Sequence, residues 1–425
     1  MSSRELELTV EEIGGRGDGI AHHEGARVFI PFTVPGDRVL AAPTGRRGGG
    51  AGATLVSVLA PGPDRTEPVC PHFGDCGGCA LQHLAAHAYR DWKVERVRVA
   101  LSRRGFADPP LAPLRATPAG ARRRASLVAI RAGGRTRLGF HARASHRVVD
   151  IAVCPVMEPD LVAVLEPLRA ALDGILDTER LGIVVTRTET GIDLVVESSR
   201  APDLAAREKL AAFAEAADLA RASWRAGGET EPIAWRRAAV VRFADVSVTP
   251  PPGAFLQASA AGEAAIRDAV LEGIGDARHV ADLYAGCGTL TFPMLRAAAA
   301  RLHAVDGAAA SVAAMEQAAR GAGLTDRLST ETRDLARRPL VGAELDAFDA
   351  VVFDPPRAGA RRQAEALARS SVPRVIAVSC DPASFARDAR ALVDGGYRLE
   401  TVVPIDQFLW SAQVELVAVF SRVRS

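Results

Sequence analysis

The C-terminal part of the chain alternates between helix-like and strand-like segments, and this alternation limits the fold more than any other feature of the sequence. It follows the proline-rich segment 250–252, with predicted helices at 258–273, 289–299, 308–321, 360–369 and 382–394 and predicted strands at 279–284, 301–305, 328–332, 349–353, 373–379, 396–404 and 414–421. Strands separated by helices form mainly parallel sheets with helices on both faces. We therefore predict a doubly wound α/β domain over residues 251–425, with a ligand at the carboxyl ends of its strands.

A cysteine stands where one of these strands meets the next helix. The apolar residues Val375 to Val378 predict a buried strand. Asp381 suits the N-cap of the following helix and Pro382 suits its first turn. Backbone amides at this position favour a thiolate of Cys380, although the Asp381 carboxylate opposes it. A cysteine is often only a small buried hydrophobic residue, but this position favours a nucleophile.

Two further strand ends carry carboxylates. The segment 279–290 predicts a strand, a glycine turn and a helix, and Asp306 follows about 20 residues after the turn, the separation typical of a carboxylate that binds a ribose. Asp354 follows the strand 349–353, and Pro355 and Pro356 after it fix the backbone. This pattern indicates an adenosine-containing cofactor; an NAD-dependent enzyme, or a glycine turn without a ligand, is the alternative.

The first 250 residues predict two other modules. Short apolar segments between glycine-rich turns predict a small OB-like β-barrel over residues 1–60, a scaffold that often binds oligonucleotides. A β-module that only packs against its neighbour is the alternative. Residues 61–250 combine a basic helix at 87–104 with strand-like and helix-like segments, which predicts an α+β middle domain.

The middle region also holds most of the cysteines. Cys70, Cys76 and Cys79 are spaced as C-x5-C-x2-C with glycines between them, and Cys154 offers a fourth thiol. In a cytosolic protein this grouping argues for metal ligation rather than disulfides. Four thiolates suit an iron–sulfur cluster or a structural zinc ion, and the spacing alone does not choose between them.

Charge is distributed unevenly along the chain. The net charge is +1, but residues 90–147 contain 15 arginines and lysines against three acidic residues. Such a block favours a polyanion partner, most simply nucleic acid. Arg122, Arg123 and Arg124 lie in this block, and we predict that they contact nucleic acid; a solvated arginine-rich surface is the alternative.

Together these motifs resemble the RNA uracil-5-methyltransferase family, in particular the branch that carries an N-terminal TRAM module and a 4Fe–4S cluster and methylates 23S rRNA. The resemblance extends over nearly the whole chain and rests on the residues that follow: the cysteine set, Gly253-Ala254-Phe255-Leu256-Gln257, the glycine loop, Asp354-Pro355-Pro356-Arg357 and Ser379-Cys380-Asp381-Pro382. It implies a TRAM β-barrel, a cluster-bearing middle domain with an RNA-binding surface, and a Rossmann-like class I methyltransferase domain. It also implies that part of the segment near 83–113 packs with the catalytic domain.

The resemblance implies a role for individual residues. Cys380 would attack uracil C6 and Glu415 would remove the C5 proton. S-adenosylmethionine (SAM) would be bound by Gln257, Tyr284, Thr289, Asp306, Asp334 and Asp354, and the 4Fe–4S cluster by Cys70, Cys76, Cys79 and Cys154. Where the family has histidine two residues before the base, this chain has Gln413.

Several alternatives follow from the same family. A tRNA uracil-5-methyltransferase would use the same chemistry, and a non-catalytic iron–sulfur RNA-binding protein would keep the fold without the reaction. The first ten residues do not read as a signal peptide and no apolar run is long enough to span a membrane. We expect a cytoplasmic monomer with RNA as its partner and no membrane partner.

Overall fold

The computed structural model describes residues 5–176, 180–298 and 300–423. The N-terminal part forms a six-stranded sheet, with a buried core that includes Val10, Ile30 and Val39. Its strands are hydrogen-bonded in the order β1-β5-β6-β4-β3-β2. They are β1 (Leu6–Thr9), β2 (Glu12–Ile13), β3 (Asp18–His23), β4 (Ala26–Pro31), β5 (Arg38–Arg47) and β6 (Gly50–Ala60). Residues 1–4 of the predicted barrel lie outside the described residues.

The middle region forms a seven-stranded sheet in the order β10-β9-β8-β11-β12-β13-β14. Its elements, with the preceding helix and one short strand, are α1 (Ala86–Ser102), β7 (Arg115–Ala116), β8 (Arg124–Ala132), β9 (Arg135–His141), β10 (Val148–Asp150), α2 (Pro159–Ala163), α3 (Leu165–Asp173), β11 (Leu181–Thr188), β12 (Gly191–Glu197), α4 (Leu204–Ala216), β13 (Arg221–Ala226) and β14 (Glu229–Trp235). Apolar residues of α3 and α4 share a buried cluster with the sheet. β13 and β14 were not predicted, because β13 buries a polar residue: Arg221 forms an ion pair with Asp193 at 2.8 Å.

The C-terminal region forms an eight-stranded sheet in the order β19-β18-β17-β20-β21-β23-β22-β7. A short hairpin precedes it, and the elements are β15 (Val241–Phe243), β16 (Val246–Val248), α5 (Ala260–Ile274), β17 (His279–Leu283), α6 (Thr291–Ala297), β18 (Arg301–Asp306), α7 (Ala309–Gly321), β19 (Leu328–Thr332), α8 (Ala343–Asp346), β20 (Ala350–Phe353), α9 (Arg361–Ala368), β21 (Arg374–Ser379), α10 (Pro382–Asp394), β22 (Tyr397–Asp406) and β23 (Glu415–Arg422). The predicted alternation of this region is confirmed, and α8 is an addition to it. The predicted helix 289–299 ends at residue 299, which lies outside the described residues, as do residues 424–425.

Hydrophobic residues cover both faces of this C-terminal sheet. Val280 and Val352 belong to one buried cluster, whereas their strand neighbours Ala281 and Val351 belong to another. This alternation follows from the strand geometry, in which successive side chains point to opposite faces. α5 contributes to the first cluster and α10 to the second, so the sheet is buried on both sides.

Helix α1 precedes the middle sheet in sequence but contacts α10 and β22 of the C-terminal region. Its buried residues Val97 and Leu101 belong to the same hydrophobic cluster as Phe385 of α10. Within the described part of the chain, no helix is both long enough and apolar enough to cross a membrane.

Candidate active site

The carboxyl ends of four parallel strands meet at one edge of the C-terminal sheet. β17, β18, β20 and β21 run parallel there, and β23 enters the same edge antiparallel to β21. The strand order reverses between β18-β17 and β20-β21, which is the position where open α/β sheets bind ligands. The antiparallel register pairs Ser379 with Leu416, so the next residues, Cys380 and Glu415, lie opposite each other at the ends of adjacent strands.

Cys380 lies between β21 and α10, as the sequence predicted. The Asp381 carboxylate caps α10 by accepting the amide of Ser384 at 2.9 Å. The prediction that this position favours a thiolate is wrong: burial, together with the charges of Glu415, Asp354 and Asp381, raises the pKa of Cys380 to about 12. In the free protein the thiol is therefore protonated at neutral pH.

Glu415 and Asp354 belong to one buried hydrogen-bond network. Gln257 Nε2 donates to Asp354 Oδ2 at 3.0 Å, and Gln407 Nε2 donates to Glu415 Oε2 at 2.7 Å. The two amides are joined, because Gln407 Nε2 also donates to Gln257 Oε1 at 2.8 Å. The side chains of Gln257, Gln407 and Glu415 are all almost completely buried.

Burial makes both carboxyls weaker acids. It raises the pKa of Asp354 and of Glu415, and the charge of Asp354 raises the pKa of Glu415 further. The hydrogen bonds from Gln257 and Gln407 act in the opposite direction. A carboxylate with a raised pKa is a better proton acceptor than an exposed one, which suits general base chemistry.

The glycine loop after β17 adopts a conformation that opens space beside the strand ends. Tyr284 has φ 64° and Gly286 has φ 56°, both in the left-handed region. A side chain at Gly286 would meet nothing within 4 Å, so the loop borders an open cradle. Thr289 lies in the turn that leads into α6. The arrangement fits a bound nucleoside cofactor.

The two other aspartates predicted to bind this cofactor differ in their surroundings. Asp306 accepts the amide of Gly286 at 2.8 Å and that of Ala308 at 2.7 Å, so its carboxylate holds the glycine loop in place. Each oxygen retains capacity for a second donor. Asp334 is exposed and accepts the amide of Ala336 at 3.0 Å. Asp306 is the last residue of β18, and Asp334 follows the end of the neighbouring strand β19.

Helix α1 fixes the loop between β22 and β23, which carries Gln407. Lys93 and Asp406 form a fully buried ion pair at 2.8 Å, and Tyr89 Oη donates to the same carboxylate at 2.7 Å. Lys93 also donates to the carbonyl of Phe408 at 3.3 Å. Removing one member of a buried ion pair costs about 3–5 kcal/mol because the other charge is left uncompensated. This pair therefore holds the loop rigidly next to the site.

The four cysteines singled out by the sequence line one pocket of about 90 Å³. Burial raises the pKa of Cys79 to about 12 and also raises the pKa of Cys76 and Cys154. Among the described residues, no three or more His, Cys, Asp or Glu side chains are grouped so as to hold a metal ion. Leu409 and Ser411 also line the pocket, so it borders the loop between β22 and β23.

Of Arg122, Arg123 and Arg124, which were predicted to contact nucleic acid, Arg123 is buried and does not fit that prediction, whereas Arg122 and Arg124 are half-buried. Arg123 is 9% exposed and pairs with Glu263, and its Nε donates to the carbonyl of Gln257 at 3.1 Å. Arg122 lies 5.8 Å from the centre of the Phe408 ring, and Arg124 donates to the carbonyl of Gly253 at 3.5 Å. These arginines join the middle region to the residues around the site, because their partners lie far away in the sequence.

Two contacts near the site were missed by the sequence analysis. Gln407 was not predicted, although its position directly after the apolar strand β22 is the type of position at which site residues occur. Thr291 Oγ1 donates to the buried carboxylate of Asp282 at 2.6 Å and links β17 to α6. The contacts of Gln407 have no sequence signal of their own, because they depend on which strand ends become neighbours; Thr291 lies on the helix that directly follows the strand of Asp282.

Comparison with known sequences identifies the group to which the chain belongs. A sequence model of the tRNA (uracil-5-)-methyltransferase family matches residues 251–423. An RNA methyltransferase of Mesorhizobium japonicum that is described as uncharacterized is 44% identical over 425 residues, covering 100% of this chain and 99% of that protein. A 23S rRNA (uracil(1939)-C(5))-methyltransferase of Chromohalobacter salexigens is 36% identical, covering 98% of this chain and 89% of that protein.

A solved structure has the same fold. The tRNA (uracil-54, C5)-methyltransferase of Pyrococcus abyssi, crystallised with S-adenosyl-L-homocysteine, superposes with a TM-score of 0.74 at 22% identity, covering 98% of this chain and 100% of that chain. A likeness at this level of identity establishes the fold. The family model and the relatives that match along most of their length lead to one conclusion: the chain belongs to the SAM-dependent RNA (uracil-5-)-methyltransferase family, and it is an RNA (uracil-5-)-methyltransferase.

Proposed function

We propose that the enzyme methylates uracil C5 in 23S rRNA through a covalent adduct between Cys380 and uracil C6. The observation that carries the proposal is the placement of Cys380 and Glu415 on adjacent strand ends, beside Asp354 and the open glycine loop. Methylation of an exocyclic nitrogen needs neither a nucleophile nor a base of this kind. Methylation of a ring carbon needs both.

The chemistry explains these residue types. Uracil C5 is too weak a nucleophile to attack a methyl sulfonium directly. When the Cys380 thiol loses its proton to solvent and its sulfur bonds to C6, the C5=C6 electron pair moves into an enolate and C5 gains electron density. C5 would then take the methyl group that SAM supplies as an electrophile, as the S–CH3 bond of SAM breaks. Glu415 then removes the C5 proton, the C5=C6 bond re-forms and the C6–S bond breaks, which releases Cys380.

Other residues bind and orient. Tyr284, Thr289, Asp306 and Asp334 would hold SAM along the carboxyl edge of β17, β18 and β19. Gln257 and Asp354 lie between this cradle and Glu415, joined by the hydrogen bond of 3.0 Å, and would align the methyl group with the base. A target uridine must leave its stack to reach Cys380. We infer that the N-terminal β-module acts as a TRAM domain that holds the surrounding RNA by backbone contacts.

Two observations favour 23S rRNA as the substrate: one relative is a 23S rRNA methyltransferase, and the chain has the four cysteines. The name of the matching sequence family favours the alternative, tRNA.

In a strain that lacks this gene, we expect 5-methyluridine to disappear from 23S rRNA and to remain in tRNA. Mass-spectrometric mapping of 5-methyluridine in both RNAs, with the gene restored as control, shows which RNA the enzyme modifies. Loss of the modification from tRNA alone would move the enzyme to the tRNA branch.

We further propose that Cys70, Cys76, Cys79 and Cys154 bind a 4Fe–4S cluster. All four are free thiols on one pocket, and four thiols are the donor set that such a cluster takes. A cluster binds one thiolate per iron atom, so its ligands lie farther apart than those of a single zinc ion. Methyl transfer is redox-neutral, and the cluster would instead stabilise the pocket where the middle region meets the loop before Glu415.

The anaerobically purified enzyme should contain about four iron and four sulfide ions per chain. Cys154→Ser should lower both contents, because one ligand is lost from the pocket. Cys287→Ser is the matched control, since this cysteine is buried in the C-terminal sheet region away from the other four. Zinc without sulfide in the wild-type enzyme would contradict the cluster and leave the methyltransferase assignment unchanged.

A further inference from the structure

Gln407 lies between the two halves of the catalytic network, and its contacts fix the orientation of its amide. Its Oε1 accepts the backbone amide of Ala258 at 3.2 Å. A backbone amide is a donor only, so the oxygen of Gln407 must face it. The nitrogen therefore faces the other way and uses both of its protons, one on Gln257 Oε1 at 2.8 Å and one on Glu415 Oε2 at 2.7 Å.

This orientation distinguishes the two oxygens of Glu415. Oε2 is held as the acceptor of an N–H group, whereas Oε1 keeps its lone pairs for another partner. We propose that Gln407 is a positioning residue for the base: by holding Oε2 of Glu415, it directs Oε1 to the C5 proton of the methylated uracil. The proposal rests on the proposed function, in which Glu415 is the base.

The step that Gln407 would control is the release of the product. Glu415 Oε1 takes the proton from C5, the C5–H electron pair becomes the C5=C6 bond, and the C6–S pair leaves with Cys380 as thiolate. Gln407 itself exchanges no proton. Its contribution is to keep the carboxylate aimed and charged in a buried site, where an amide donor offsets part of the cost of burial.

The same amide also aligns the residues on the cofactor side. Because Gln257 accepts from Gln407 through Oε1, its own nitrogen is directed to Asp354 Oδ2 at 3.0 Å. One side chain thus sets the orientation of Gln257, and through it the contact with Asp354. The backbone next to Gln407 is fixed as well, since Asp406 is held by Lys93.

The packing around Gln407 offers an independent way to move it. A Cβ atom at Gly262 of α5 would lie 2.5 Å from the Cβ of Gln407 and 3.0 Å from its Oε1. Real Cβ atoms do not approach so closely, so the smallest side chain at position 262 displaces Gln407. Gly262→Ala therefore disturbs the position of the amide while keeping its chemistry.

The test measures adduct formation and adduct release separately as a function of pH. The groups that face Glu415 are Asp354 at the end of β20, Cys380 at the end of β21, and Gln407 after β22. Gln407→Met keeps the length and removes the donor. Without that donor the pKa of Glu415 rises, less of the base is ionised at a given pH, and the acidic limb of the release rate should move to higher pH by about one unit.

At neutral pH we expect Gln407→Met to slow release about tenfold, with a smaller effect on SAM affinity. Gly262→Ala should also slow release and move its acidic limb to higher pH. Gln363→Met is the matched control, because Gln363 is equally buried but lies away from the site. Its Oε1 accepts the backbone amide of Leu340 at 3.0 Å, and its Nε2 donates to the carbonyl of Leu340 at 3.1 Å. It should lower the thermal unfolding temperature without moving the pH profile.

An unchanged pH profile of release in folded Gln407→Met, or in Gly262→Ala if the methionine variant does not fold, would overturn the proposal and leave Gln407 as a packing residue. Failure of the proposed function is a separate result. If Glu415→Gln releases product normally, then Glu415 is not the base, whatever Gln407 does.

Discussion

Cys380→Ala should lower the rate of methylation by at least about 10⁴-fold, because the variant lacks the proposed nucleophile that raises the electron density of uracil C5. Affinity for SAM should stay within about twofold, since the thiol attacks uracil and the cofactor cradle lies at β17 and β18. The measurements are single-turnover methyl transfer from labelled SAM to RNA and calorimetric titration with SAM. Cys380→Ser should lose nearly as much activity, because a serine hydroxyl ionises far less readily than a thiol.

The surroundings of Cys380 also predict how its thiol reacts in the free enzyme. Its pKa is raised to about 12 by burial and by the charges of Glu415 and Asp354, so the free enzyme should react only slowly with alkylating agents at neutral pH. Low reactivity towards such agents is thus no argument against a nucleophilic role. A Cys380→Ala enzyme that retained most of its single-turnover rate would exclude covalent catalysis through this residue.

The parts of the fold that could be predicted are those that local sequence determines. Strands and helices of the C-terminal sheet follow from apolar runs bounded by glycine, proline and capping residues, as at Asp381, whose carboxylate caps α10. Cys380 was found for the same reason, since its position depends only on the strand before it and the helix after it. Whether this residue acts as a nucleophile stays a prediction until a variant is measured.

The parts that could not be predicted depend on contacts between distant segments. The arginine run at 122–124 had the charge of a nucleic-acid surface, but Arg123 is buried against Glu263, which lies 140 positions later. The direction of the pKa shift of Cys380 was predicted wrongly, because the helix amides were visible in the sequence, whereas the burial of the thiol and the two carboxylates from other strands were not. Gln407 acquires its function only when β22 and β23 bring it next to Glu415 and Gln257.

Glu415→Gln should allow methyl transfer and block release, so that a covalent complex of enzyme and methylated RNA accumulates. The variant keeps the shape of the side chain, and its amide oxygen can still accept from Gln407. It cannot accept the C5 proton, so the C6–S bond cannot break. We expect release to slow by about 10²–10⁴-fold, the usual contribution of a general base.

Formation of the covalent adduct, the first step of the reaction, should not be slowed in Glu415→Gln. The charge of Glu415 raises the pKa of Cys380, so its removal lowers that pKa and increases the fraction of thiolate at a given pH. Adduct formation should therefore be as fast as in the wild type or faster. Glu400→Gln is the matched control, because Glu400 lies in β22 of the same sheet but pairs with Arg398 at 2.7 Å away from the strand ends.

The complex should be visible as a band of reduced mobility on a denaturing gel, formed with SAM and RNA together and absent when Cys380 is also replaced by alanine. Dependence on Cys380 separates a true adduct from tight binding, since denaturant disrupts only the latter. Normal turnover of Glu415→Gln would mean that a different group accepts the proton; Asp354, whose charge acts on Glu415 and whose pKa is also raised, is one such group. Loss of both adduct and product would mean instead that Glu415 acts before methyl transfer, in aligning uracil for attack by Cys380.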